Sequence, residues 1–168
     1  GDHAAAIMAE EFPDRMKMKD KTIVEVMHEK KRLGQKNKLG FYKYELDRKG
    51  KLKKSVDPEA EEIIKSSVKR NVDVTDEEII DRMMLPMIFE CARCLEENIV
   101  NTPIEVDMGL LLGLGFPPFR AGALKYADDV GLTKIIEKSE KFKELGKLYQ
   151  PTDGFVEKAK NNQNYYKN

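Results

Sequence analysis

"GLLLGLGFPPFRAGALKYADDVGL", residues 109–132, is the stretch on which the reading of this chain turns. Gly113, Gly115 and Gly122 stand there with Pro117, Pro118 and two phenylalanines, in a sequence otherwise polar and helical in pattern. Gly113-x-Gly115 begins like a dinucleotide fingerprint. That fingerprint needs Gly-x-Gly-x-x-Gly between a strand and a helix, so that backbone N–H groups reach a pyrophosphate. The third position holds Pro118, which has no N–H and whose ring fills the space a missing side chain should leave. The preceding segment has the pattern of a capped helix, and no Gly-x-x-x-x-Gly-Lys-Ser/Thr loop occurs anywhere in the chain. The stretch is therefore predicted to be a helix-to-helix elbow. Gly113 and Gly115 end one helix and turn the chain, Pro117 and Pro118 stiffen the turn, and Phe116 and Phe119 anchor it to the core.

Helical signals flank the elbow on both sides. Upstream, Thr75-Asp76-Glu77-Glu78 forms a capping box, with Thr at the N-cap and Glu three residues later. The helix it opens carries Ile79, Ile80, Met83, Met84, Met87, Ile88, Cys91 and Leu95, a broad apolar face predicted to be deeply buried. Pro86 should kink it without ending it, and Asn98 suits the left-handed position after its end. Thr102-Pro103-Ile104-Glu105 is a second capping box, opening the helix that leads into the elbow. Downstream, helices are predicted over 119–130 and 133–145, stopped by Gly131 and Gly146, with a short one over 155–160 before a polar tail.

The N-terminal part reads more loosely. A short helix over 2–11 is stopped by Pro13, and a second is predicted over 20–33, stopped by Gly34. Phe41 to Tyr44 alternates aromatic and polar residues as a short extended segment would, followed by the charged, mobile turn "DRKGKLKK". Asp57-Pro58 opens a helix to Val68, and 69–74 reads as a linker. The expected fold class is mainly α, with at most a small extended segment near residues 41–54.

Composition narrows the function classes. The 30 basic residues balance the 30 acidic ones, so there is no global charge to attract nucleic acid. "EKKRLGQKNK" and "KGKLKK" read as solvated surface more than as a polyanion site. No apolar run reaches the ~20 residues of a membrane-spanning helix, and the start lacks a signal-peptide pattern. The chain opens on Gly instead of Met, as an excised piece would. Cys91-x-x-Cys94 lies within a helical pattern with only His3 and His28 to complete a ligand set, so the pair reads as two small core residues and no metal site is expected. Free thiols fit a reducing compartment, so the chain is expected to be cytoplasmic.

The sequence also resembles a known family. The run from Glu77 to Gly131 resembles the second C-terminal helical repeat of the 3-hydroxyacyl-CoA dehydrogenase part of the fatty-acid oxidation complex alpha subunit, in its bacterial form. "LGQKNKLGFYKYE" is similar to the segment that closes the first repeat. The resemblance divides the chain into the latter part of a first repeat (1–56), a connecting helix and linker (57–74) and a second repeat (75–168). It implies a fragment of an NAD-dependent dehydrogenase with an enoyl-CoA hydratase upstream, serving domain packing and part of the acyl-CoA pocket. In the intact enzyme, hydride passes to NAD while an upstream histidine takes the hydroxyl proton. The family's catalytic His-Phe-Phe-Asn-Pro context is absent here, so the fragment alone is expected to be inactive, with no catalytic residue of its own and no bound cofactor. The partners implied are the chain's own upstream Rossmann and hydratase domains and a beta-subunit thiolase. Leu112 stands where some alpha subunits carry an aromatic residue against acyl-CoA. Ala121 replaces a family glycine. The rival reading is a freestanding helical domain that pairs with itself or a partner through apolar faces.

Overall fold

The computed structural model describes residues 2–68 and 72–166, which form two compact units, Gly1–Asp73 and Val74–Asn168. Among the described residues there are eight α-helices and a single two-stranded sheet, so the chain is mainly α. Part of the expected linker, 69–71, lies outside the described residues, and 72–74 has no regular structure.

In the first unit, α1 (Asp2–Glu11) is followed by α2 (Ile23–Glu29). Helix α2 is much shorter than the expected span of 20–33. Thr22 and Glu25 cap its start reciprocally, and Lys31, at φ 57°, turns the chain away before Gly34 is reached. The loop after it is tied by Asn37, whose Oδ1 accepts from Leu33 N–H and whose Nδ2 donates to the Lys31 carbonyl.

The extended segment is a full hairpin, β1 (Tyr42–Leu46) against β2 (Leu52–Val56), with Tyr44 opposite Lys54. The last three of the eight residues of the expected mobile turn, Leu52 to Lys54, are thus strand. Asp47 Oδ1 accepts from the N–H groups of Lys49 and Lys51 and shapes the bend between the two. Helix α3 (Pro58–Ser67) starts at the Asp57 N-cap and packs Ala60 and Ile63 on Met27. Asp57 also receives the buried Arg32 guanidinium, which holds its carboxyl below the usual carboxylate range, while Arg32 Nε donates to the Gly40 carbonyl. This arginine, just after α2, ties Gly40 of the loop to Asp57 at the start of α3.

The second unit is built on α4 (Asp76–Glu96), capped by Thr75 and Glu78 as expected. The helix runs through Pro86, which cannot donate to the carbonyl of Arg82 four residues earlier. Tyr149 Oη donates to that carbonyl instead, at 3.3 Å, so the vacancy is filled from outside the helix. Asn98 takes the left-handed conformation, φ 58°, directly after the C-cap. The inner face of α4 presents Leu85, Ile88, Phe89, Cys91 and Ala92 to one core shared with α5 (Pro103–Gly109), α6 (Ala123–Val130), α7 (Leu132–Glu140) and α8 (Asp153–Lys160). Lys138 of α7 reaches Asp81 at 2.8 Å and Glu77 at 2.7 Å, clamping α7 to α4.

Several expectations fail in this unit. Ile79, Ile80 and Met83 are exposed, Met83 at 69%, because the core lies on the other side of the helix. Glu105 reaches back to Asn101 N–H, not to the N-cap Thr102, so the second capping box is half formed. The helix predicted over 119–130 begins only at Ala123, and that over 133–145 ends at Glu140 and is followed by a 3₁₀ turn. The polar tail carries two aromatic residues, Tyr165 and Tyr166, that pack on the core.

Candidate functional site: the elbow and its lip

Helix α5 does not stop at the first glycine. It widens into a π-type turn, Leu110–Leu114, which includes Gly113, and ends at Gly115 in the left-handed conformation, φ 69°. The N–H groups of Gly115 and Phe116 both donate to the Leu110 carbonyl. A 3₁₀ turn, Pro118–Arg120, follows, and the Ala121 N–H donates to the Pro118 carbonyl. The N–H groups of Gly115, Phe116, Arg120 and Ala121 are therefore spent inside the turn, and Pro117 and Pro118 have none. The elbow does not fit NAD, and no step through that cofactor is assigned to these residues.

Two residues end the elbow in conformations that disfavour side chains. Ala121 has φ 58°, and Gly122 has φ 130°. The left-handed region costs a non-glycine residue about 1–2 kcal/mol, offset in part by glycine's greater freedom when unfolded. Ala121→Gly is thus expected to stabilise the second unit by about 1 kcal/mol, read as a higher urea midpoint. An unchanged or lower midpoint would show that the alanine carries no strain.

The elbow's neck is tied by Asp107, a residue that sequence reasoning missed. Its carboxylate, 2% exposed, accepts from Leu124 N–H at 3.0 Å, Lys125 N–H at 3.0 Å and Tyr166 Oη at 2.7 Å. Asp107 supplies the N-terminal cap that Gly122, at the N-cap of α6, cannot. A Cβ on Gly122 would lie 2.1 Å from Asp107 Cγ, so the carboxylate occupies the glycine's missing side-chain space. The only hint in the sequence is an acid in the otherwise apolar run "VDMGLLLGLG".

The elbow has two faces. Val106, Asp107, Leu110 and Leu111 turn inward, and Phe116 is 7% exposed in the core. Ile104, Met108 and Leu112, spaced by four, form an outward apolar stripe, with Leu114 and Phe119 beside it. Leu112 is 80% exposed and Phe119 81%. Phe119 is therefore not a core anchor. The Arg120 guanidinium lies over its ring at 5.2 Å and over that of Tyr126 at 5.4 Å.

Cys91 is buried behind the elbow and Cys94 half-buried, and neither is in a disulfide. Burial, with the Asp107 charge adding to it, pushes the Cys91 thiol up to about 12, so it stays a thiol and no nucleophile. Among the described residues no group of three or more His, Cys, Asp or Glu side chains could hold a metal, and no helix is long and apolar enough to cross a membrane. His28 Nδ1 lies 2.8 Å from Asp2 on the surface of the first unit. That unit has its own open cleft of about 660 Å³, with Met27 and Arg32 in its floor and Phe41, Tyr42 and Tyr44 in its wall.

Over 166 residues, 99% of its length, the chain is 51% identical to the fatty acid oxidation complex subunit alpha of Pseudomonas paraeruginosa. It is 48% identical to that of Pseudomonas savastanoi pv. phaseolicola over the same length. In both cases the match spans 23% of the relative. In fold it is similar to the dehydrogenase part of multifunctional enzyme 1 from C. elegans, with a TM-score of 0.58 and 21% identity, covering 94% of this chain and 36% of that one. No family model matches the chain. By sequence, the chain is a homologue of one segment, 23% in length, of the fatty acid oxidation complex alpha subunits.

Proposed function

We propose that the chain serves as the helical packing part of a multifunctional β-oxidation enzyme, an NAD-dependent 3-hydroxyacyl-CoA dehydrogenase with an enoyl-CoA hydratase in the same polypeptide. Residues 1–56 belong on this reading to a first helical repeat, 57–74 to a connection and 75–168 to a second repeat. The observation that carries it is the apolar lip of the elbow. Ile104, Met108, Leu112, Leu114 and Phe119 are all exposed along the 104–119 segment, and we read them as a surface meant to be covered. Leu112, at the crest of that lip, lines the acyl-CoA pocket through apolar contact alone, since leucine offers no hydroxyl. Gly113, Gly115, Phe116, Pro117 and Pro118 shape the turn that carries it.

Hydride and proton transfer belong to residues outside this chain, and NAD binds outside it. The Rossmann and hydratase parts of the polypeptide are the expected neighbours, a beta-subunit thiolase the expected partner and the cytoplasm the expected compartment.

Two assays test this. The isolated chain mixed with NADH and acetoacetyl-CoA should give no turnover. Grafted in place of the homologous 166 residues of the P. paraeruginosa alpha subunit, it should restore the dehydrogenase activity that deletion of that segment removes. Turnover by the isolated chain, or a folded graft without activity, would overturn the reading. Concentration-dependent self-association alongside an inactive graft would favour a freestanding pairing domain.

A further inference from the structure

Asp107, at the neck of the elbow, is also reached by Tyr166, far from it in sequence. Tyr165 and Tyr166 donate their backbone N–H groups to the two carboxylate oxygens of Asp128 in α6, at 3.0 and 2.9 Å. The Tyr165 ring packs on Phe155 with centroids 6.0 Å apart, and Lys158 Nζ sits 5.4 Å from its centre. Fixed in this way, the tail delivers Tyr166 Oη to Asp107, the residue that ties the neck of the elbow. Burial, and then the hydrogen bond to Asp107, push the Tyr166 phenol up, so it remains the donor. The Asp107 carboxylate thus accepts from α6 at both oxygens, and its Oδ2 accepts from Tyr166 as well.

We propose that Tyr165 and Tyr166 form a clasp, and that Tyr166, acting through Asp107, is a positioning residue for the elbow and its Leu112 lip. The proposal rests on the reading of that lip as a pocket wall only for its catalytic consequence, not for the clasp itself. Asp107 is a buried charge. When the elbow opens, Asp107 is hydrated; when it closes, the carboxylate depends on the three donors that replace water. Removing the phenol leaves the closed state one donor short and leaves the open state unchanged. The equilibrium then moves toward opening at the neck, while the core formed by Phe89 and Phe155 is untouched.

The test is Tyr166→Phe in the full 168-residue chain, read by amide hydrogen exchange. Protection of the Leu124 and Lys125 amides is expected to fall about tenfold, with Ile88 and Phe89 in α4 changed less than about twofold. In an Asp107→Asn background the same substitution should add little further, since the path through Asp107 is already weakened. An equal loss across α4 and α6 would show general destabilisation and overturn the clasp, as would unchanged exchange at Leu124 and Lys125. In the grafted alpha subunit, Tyr166→Phe should raise the KM for 3-hydroxyacyl-CoA several-fold with kcat held. Local loosening without a KM change would uphold the clasp and sink the pocket-wall reading.

Discussion

Gly122→Ala is expected to destabilise the second unit by roughly 3–5 kcal/mol, a large share of a small domain's total stability. Two costs combine. At φ 130° and ψ 171° the backbone lies in a region almost closed to residues with a Cβ, worth about 1–3 kcal/mol. The new methyl would also lie 2.1 Å from Asp107 Cγ and 2.3 Å from its Cβ, where the partner is a buried carboxylate with three hydrogen bonds, so any retreat strips it of donors. The measurement is urea unfolding followed by amide exchange in α4 and α8. A loss below about 1 kcal/mol would show that the neck relaxes freely and that Asp107 is not its tie.

Phe89→Ala should cost a similar amount, about 3–5 kcal/mol. Phe89 is fully buried on the inner face of α4, and its ring meets Phe155 edge-on, with centroids 5.3 Å apart and planes at 85°. Truncation removes that contact, worth about 0.5–1.5 kcal/mol beyond burial, and leaves a cavity between α4 and α8. Phe89→Leu keeps most of the volume and should lose markedly less. Equal losses for the two substitutions would mean that the site collapses around either and that α8 is not held there.

Where local chemistry decided the structure, it could be read in the sequence. Thr75 with Glu78, Pro58 after Asp57, Asn98 and Gly131 all mark helix ends where expected, because a cap is a contact between residues a few positions apart. Thr22 with Glu25 is the same signal, and it limits α2, but the longer apolar pattern over 20–33 hid it. The second strand was hidden by its lysines: the charged turn ends at Lys51, and Leu52–Val56 pairs with β1.

Contacts between distant residues were not legible. Asp107 meets α6 across 17 residues and Tyr166 across 59, and no spacing rule links them. Phe116 and Phe119 look alike in sequence, yet the left-handed turn at Gly115 sends one inward and the 3₁₀ turn leaves the other on the surface. The broad face of α4 was too broad, since periodicity gives a helix's amphipathic direction but not how wide a stripe its neighbours cover.

The lip of the elbow is the feature through which the chain would meet acyl-CoA. The most direct test compares the grafted alpha subunit with the same graft carrying Leu112→Asp, a change at an exposed position that leaves the fold of the second unit intact. If the lip is a wall of the acyl-CoA pocket, the KM for a long-chain 3-hydroxyacyl-CoA rises about tenfold or more while kcat holds. Identical KM and kcat in the two proteins would contradict it.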